Sequence, residues 1–150
     1  MNKRFLTLAT AALLIFISLV LPPGRVSAAD EVDLIVNKAN TISDLSLADA
    51  KKIFMGDKTT WPSGKRVSVL MAAAGSPERA VVLREIFKMS DAEYTKYFMQ
   101  AAFTGKVTAP PKDMSSASQM KTTVAGNPGA VGYVMKADAD DTVKVVLKIP

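Results

Sequence analysis

Residues 67–87, VSVLMAAAGSPERAVVLREIF, constrain the fold most, because they predict a strand, a tight turn and a helix in direct succession. The first five are largely apolar, the next four are small, and Ser76-Pro77 supplies a helix N-cap followed by a first-turn residue. The turn at Gly75-Ser76 resembles places where α/β proteins offer free backbone N–H groups to an anion. Most Ser-Pro helix starts are caps only, so a ligand site and a plain cap both stay open here.

The rest of the chain repeats this alternation of strands and helices. Helices are predicted after four serine caps, and the pair Ser90 and Glu93 has the spacing of a capping box. Alternation of this kind predicts an α/β fold with a mostly parallel sheet flanked by helices, to which the closing strands add an antiparallel edge. The predicted strands are residues 32–36, 67–71, 130–134 and 143–149, and the predicted caps are Ser46, Ser76, Ser90 and Ser116.

The N-terminus has the three parts of a secretory signal. Lys3 and Arg4 precede an apolar run, residues 6–21, and small residues follow at 27–29. We predict that residues 1–29 are a signal peptide and that residues 30–150 form one domain in the periplasm or outside the cell. A transmembrane anchor is the alternative, although the apolar run is near the lower limit for a membrane span. We therefore expect no membrane anchor after signal cleavage.

Composition argues against several functions. Cysteine is absent, which excludes disulfides and thiolate metal sites, and the absence of histidine removes the commonest general base. Without Lys3, Arg4 and Arg25, 16 basic residues face 14 acidic ones, so the net charge of +2 gives no case for nucleic-acid binding. The acidic residues at 138, 140 and 141 lack the spacing of a calcium loop and favour a turn. We predict no catalytic residues, no metal site and no cofactor.

Three stretches together resemble the phosphate-binding proteins of ABC transporters. They are residues 46–56, SLADAKKIFMG, followed by Lys58 and Trp61; the turn Gly75-Ser76; and residues 127–134, NPGAVGYV. They stand in the family's order and span most of residues 32–134. The resemblance implies a type 2 periplasmic-binding-protein fold, of which residues 30–150 would form a single lobe.

The same resemblance implies a phosphate-holding turn with departures from the family pattern R-x-D-G-S-G-T. Ser76 keeps the serine, whereas Ala72 stands for the arginine, Pro77 for the second glycine and Glu78 for the threonine. Pro77 removes one N–H donor and Glu78 places a carboxylate at the helix N-terminus. Arg79, one residue further on, would restore positive charge. The predicted ligand-binding residues are therefore Gly75, Ser76 and Arg79.

Three functions of different classes follow from these observations. We favour a secreted, non-catalytic module that binds phosphate or a similar small anion weakly at the turn. The alternative is a protein-interaction module whose protein partner, or second copy in a homodimer, covers the face left open by the missing lobe. A hydrolase is the third, and it would require phosphoesterase activity that depends on Ser76.

Overall fold

The computed structural model describes residues 31–108 and 110–150. The predicted signal peptide, residues 1–29, lies outside the described residues and stays a prediction. In the part of the chain that the structure covers, no helix has both the length and the apolarity needed to cross a membrane.

A five-stranded mixed sheet forms the centre of the described chain. Strands β3, β2 and β4 run parallel to one another, and β1 pairs antiparallel with both β4 and β5. The order across the sheet is β3-β2-β4-β1-β5. The strands are β1 Val32–Val36, β2 Ser68–Ala72, β3 Lys112–Met114, β4 Ala130–Met135 and β5 Lys144–Ile149.

The α/β class is confirmed, but the sheet is evenly mixed rather than mostly parallel. It has two parallel and two antiparallel pairings, because β1 lies between β4 and β5 instead of beside β2. The predicted closing strands are therefore not hydrogen-bonded neighbours. Strand β3 is not among the predicted strands. It has only three residues and follows Pro110-Pro111, so its sequence carries little strand signal.

Four helices cover the sheet, and all four predicted serine caps are confirmed. Each cap hydroxyl accepts the backbone N–H of the third residue after it, and Ser90 with Glu93 forms a complete capping box. Helix α2 continues into a wider π-type turn, Leu83–Phe87, and ends at Lys88 in the left-handed conformation (φ 56°). The helices are α1 Leu47–Phe54, α2 Pro77–Val82, α3 Asp91–Phe103 and α4 Ala117–Gly126.

The core lies between the sheet and these helices. Every residue of β1 is buried, which requires cover on both faces of the sheet. Phe54 of α1 contacts Phe87 edge to face at 6.0 Å and packs against Tyr133 of β4 at 6.1 Å between ring centroids. These aromatic contacts join α1, the π-type turn that follows α2, and β4.

Asp33 is a buried carboxylate on β1 whose Oδ1 has no hydrogen-bond partner among the described residues. Desolvation raises the pKa of Asp33 above its usual range, against the opposing influence of Lys148 and Lys136. A raised carboxyl pKa means that the folded state loses stability as the pH rises from the unfolded-state pKa through the folded-state pKa. The cost of burying the charge is thus present in full at neutral pH.

We therefore expect Asp33→Asn to raise the free energy of unfolding at pH 7 by about 1 kcal/mol. The gain should disappear near about pH 3, where Asp33 is protonated in both states. Urea unfolding at the two pH values measures it, with exposed Asp44→Asn as the control for loss of one charge. A loss of stability at pH 7 would contradict this account.

Candidate functional site

The turn after β2 is held in place by a tyrosine from the neighbouring strand. The hydroxyl of buried Tyr133 accepts the backbone N–H of Ala72 at 2.9 Å, at the last residue of β2. Gly75 then adopts φ +80°, a conformation that L side chains rarely adopt, and Ser76 caps α2. Tyr133 belongs to the stretch NPGAVGYV, so two of the stretches singled out in the sequence meet at this turn.

The three predicted ligand residues line one pocket, which we call the turn pocket. It has a volume of about 250 Å³ and is open to solvent. The pocket brings Gly75, Ser76 and Arg79 together with residues from the end of α2 and the start of α3. Its remaining lining residues are Ala80, Leu83, Arg84, Met89, Ser90 and Asp91.

Ser76 lines the turn pocket and has a hydroxyl group that can donate a hydrogen bond. Its Oγ accepts the backbone N–H of Arg79 at 3.4 Å, which is long for a hydrogen bond. The hydroxyl proton is free to point into the pocket, because acting as an acceptor leaves the donor unused. Within residues 31–108 and 110–150, the backbone N–H of Gly75 has no hydrogen-bond acceptor. The turn can therefore offer two donors to an anion.

Arg79 is buried, with a side chain only 5% exposed, and it is bonded to the protein through all three guanidinium nitrogens. Nε and Nη2 lie 2.9 and 2.8 Å from Oδ1 of Asp91, at the start of α3. Nη1 donates to the carbonyl oxygen of Ala72 at 2.9 Å and to Asp113 Oδ1 on β3 at 3.1 Å. The guanidinium also lies 4.9 Å from the ring centroid of Tyr94.

Arg79 is therefore a junction between β2, β3, α2 and α3. Burial works against its charge, but hydrogen bonds and charges of Asp91 and Asp113 leave the pKa of Arg79 raised, so it stays cationic. It lines the pocket with its charge paired to these two carboxylates, and it fixes the strand end through Ala72. Sequence reasoning missed both carboxylate partners; Asp91 follows the predicted cap Ser90, whereas nothing local marks Asp113.

Four features oppose anion binding at this turn. Pro77 occupies the first helical position and has no N–H, and Glu78 places its carboxylate in the same turn. Asp91 also reaches the pocket wall. Arg84, the exposed cation in the lining, is paired with Glu85 at 2.6 Å. The turn pocket thus has fewer and less positive donors than an enclosed phosphate site needs.

The acidic residues after β4 form a connection, as the sequence predicts. Lys136–Asp138 is a short 3₁₀ turn, and Asp140 accepts from Lys121 and Thr142. These bonds hold the pKa of Asp140 well below its usual range. In the described ranges, no group of three acidic, histidine or cysteine side chains is arranged to hold a metal ion.

Similarity to solved structures agrees with the resemblance seen in the sequence. A receptor for ABC-type phosphate transport from Vibrio cholerae matches with a TM-score of 0.62 and 25% identity, over 77% of this chain and 44% of that one. A protein described as a phosphate ABC transporter substrate-binding protein, from Clostridium perfringens and with bound phosphate, gives the same score and identity over 77% and 43%. PstS from Borrelia burgdorferi, at 10% identity and a TM-score of 0.58 over 77% and 46%, shares the fold.

No protein-family model matches the sequence. The chain spans less than half the length of the two phosphate-transport proteins that it matches at 25% identity. Its five-stranded sheet and four helices nevertheless correspond to one lobe of such a protein. The chain is thus similar in fold to the substrate-binding proteins of phosphate ABC transporters, as the resemblance predicts.

Proposed function

We propose that this protein is a secreted, non-catalytic module that binds phosphate or a similarly small anion at the turn pocket. The observation that carries the proposal is that Gly75, Ser76 and Arg79 line one pocket at the carboxyl end of β2. The names of two structurally similar proteins mention phosphate, and the structure of one of them contains bound phosphate. Ser76 and the Gly75 N–H would donate to the anion, while Arg79, a cation in the pocket lining, holds the turn through the carbonyl of Ala72.

Binding at this pocket should be weak. Glu78 and Asp91 bring negative charge to the site, and the pocket is open on one side. An anion gains most when many donors replace its hydration shell. The proposed location outside the cytoplasm depends on the predicted signal peptide, residues 1–29.

Calorimetric titration of the protein with sodium phosphate and sodium sulfate tests the proposal. We expect saturable heat with phosphate, lost in Ser76→Ala. Ser46→Ala is the matched control, because it removes a helix cap of the same kind from α1. Each loss of a cap should cost about 1 kcal/mol of stability, so both variants should remain folded at 25 °C. Silence of the unmodified protein at millimolar phosphate would reject anion binding.

Glu78→Thr provides a second, opposite prediction. Removing the carboxylate from the helix N-terminus should tighten phosphate binding by about threefold, because the helix end no longer interacts with its own side chain. Asp49→Thr removes the same charge from the first turn of α1, outside the lining of the turn pocket. That control should leave the affinity for phosphate unchanged. Weaker binding by Glu78→Thr would sink the anion site at this turn.

The alternative, an interaction or self-association module, stays a prediction. Phe103 and Met99 on α3 are 94% and 69% exposed and lie one helical turn apart. Two side chains form a patch far smaller than the roughly 800 Å² per partner that a stable interface buries. We therefore rank anion binding first.

A further inference from the structure

A larger pocket lies at the opposite end of β2 from the turn pocket. It has a volume of about 340 Å³ and is lined by the first residues of β2, the end of α1 and the segment before β3. We call it the basic pocket, because Lys58, Arg66, Lys106 and Lys112 all line it. It shares no lining residue with the turn pocket.

Most of the positive charge of this pocket is uncompensated. Among the described residues, its lining contains no aspartate and no glutamate. Lys106 pairs with Asp57 at 3.3 Å and bonds to the hydroxyl of Tyr97, but no carboxylate of the described residues lies within ion-pair distance of Lys58, Arg66 or Lys112. Cations gathered in this way repel one another, so a bound anion would relieve a cost that the protein carries by itself.

The walls between these cations are apolar. Half-buried Val67, Val69 and Val107 contribute accessible apolar surface to the lining. Pro110 and Pro111 close the side towards β3. An inorganic anion would leave this apolar surface unused, whereas a ligand with an apolar body would cover it.

One side of the pocket is formed by a loop that hydrogen bonds hold in place. Trp61 is 2% exposed, and its indole N–H donates to the carbonyl oxygen of Gly129 at 2.9 Å. Thr60 and Arg66 form a β-bridge, and the N–H of Val67 donates to the carbonyl of Thr59. The backbone of Arg66 is thereby held beside the pocket, so binding does not have to order this loop.

We propose that the basic pocket binds a small organic anion, with one carboxylate or phosphate head and an apolar body such as a phenyl ring. Lys58, Arg66 and Lys112 surround the head, and the body covers the wall formed by the three half-buried valines of the lining. The volume lies near the lower end of ligand pockets, which favours a small molecule over a larger ligand. This site goes beyond the proposed function, which uses the other end of β2.

Nuclear magnetic resonance titration of the ¹⁵N-labelled protein tests the proposal with four probes. These are phenyl phosphate, 3-phenylpropionate, neutral 3-phenylpropan-1-ol and inorganic phosphate. We expect the two aromatic anions to shift the amide signals of Lys58, Val107 and Lys112. The anion that binds with the higher affinity shows whether the preferred head is a phosphate or a carboxylate. The alcohol lacks the charged head and inorganic phosphate lacks the apolar body. Each should therefore bind at the basic pocket at least about tenfold more weakly.

Variants connect these shifts to the pocket. The double variant Lys58→Gln with Arg66→Gln should weaken binding of the aromatic anions about tenfold or more. Lys38→Gln, an exposed lysine after β1, is the control and should change nothing. Equal binding of the alcohol, shifts confined to Gly75 and Ser76, or unchanged affinity in the double variant would each overturn the proposal. If phosphate binds only at Gly75 and Ser76 while the aromatic anions bind here, both sites stand.

Discussion

Replacing Arg79 with methionine is expected to lower the free energy of unfolding by about 3 kcal/mol. The substitution keeps an apolar stem over Tyr94 but removes the guanidinium that joins Ala72, Asp91 and Asp113. The carbonyl of Ala72 then loses a buried partner. The two carboxylate side chains are 41% and 58% exposed and can be rehydrated, so we place the loss at the lower end for a broken buried ion pair.

Urea unfolding measures this loss, and the same helix offers the control. Arg84→Met removes an exposed arginine whose ion pair with Glu85 is on the surface, and it should change stability by less than about 0.5 kcal/mol. Arg79→Lys should fall between the two, because an ammonium keeps the charge but cannot reach three acceptors in one plane. If Arg79→Met and Arg84→Met prove equal, the junction does not hold these elements together.

Arg79 also shows where prediction of the site from sequence ends. The turn of Gly75 and Ser76 and its adjoining arginine could be placed together, because they lie within five consecutive residues and a strand–turn–helix is local. The ion-pair partners of Arg79 could not be predicted, since Asp113 is 34 residues away and lies on a strand that the sequence does not predict. A residue predicted as an anion ligand thus already has two carboxylate partners.

The same division holds for the fold. Caps such as Ser46 and Ser90 act within one turn of helix, so the sequence predicts them well. The position of β1 depends on pairing with β4 and β5 about one hundred residues later, which no local pattern encodes. The basic pocket was missed for the same reason: its cations are scattered from Lys58 to Lys112 and converge only in the folded chain.

Gly129 connects a sequence stretch with the wall of the basic pocket. Its carbonyl accepts the indole N–H of Trp61 and the backbone N–H of Ser68, both at 2.9 Å. A Cβ built on Gly129 would lie 2.2 Å from the backbone oxygen of Arg66, which is far inside contact distance. Backbone cannot rotate away as a side chain can, so the loop that carries Trp61 and Arg66 would have to move.

We therefore expect Gly129→Ala to destabilise the protein by about 3 kcal/mol and to shift the fluorescence of Trp61 to longer wavelength. Trp61 is the sole tryptophan, so the emission spectrum reports on this loop alone. Gly126→Ala is the matched control: no atom lies within 4 Å of its added Cβ, and alanine at this helical position should be neutral or stabilise by up to about 1 kcal/mol. Because Arg66 moves with the loop, Gly129→Ala should also weaken binding of aromatic anions. If Gly129→Ala keeps an unchanged emission spectrum and full stability, the close approach of Gly129 to Arg66 does not require glycine at this position.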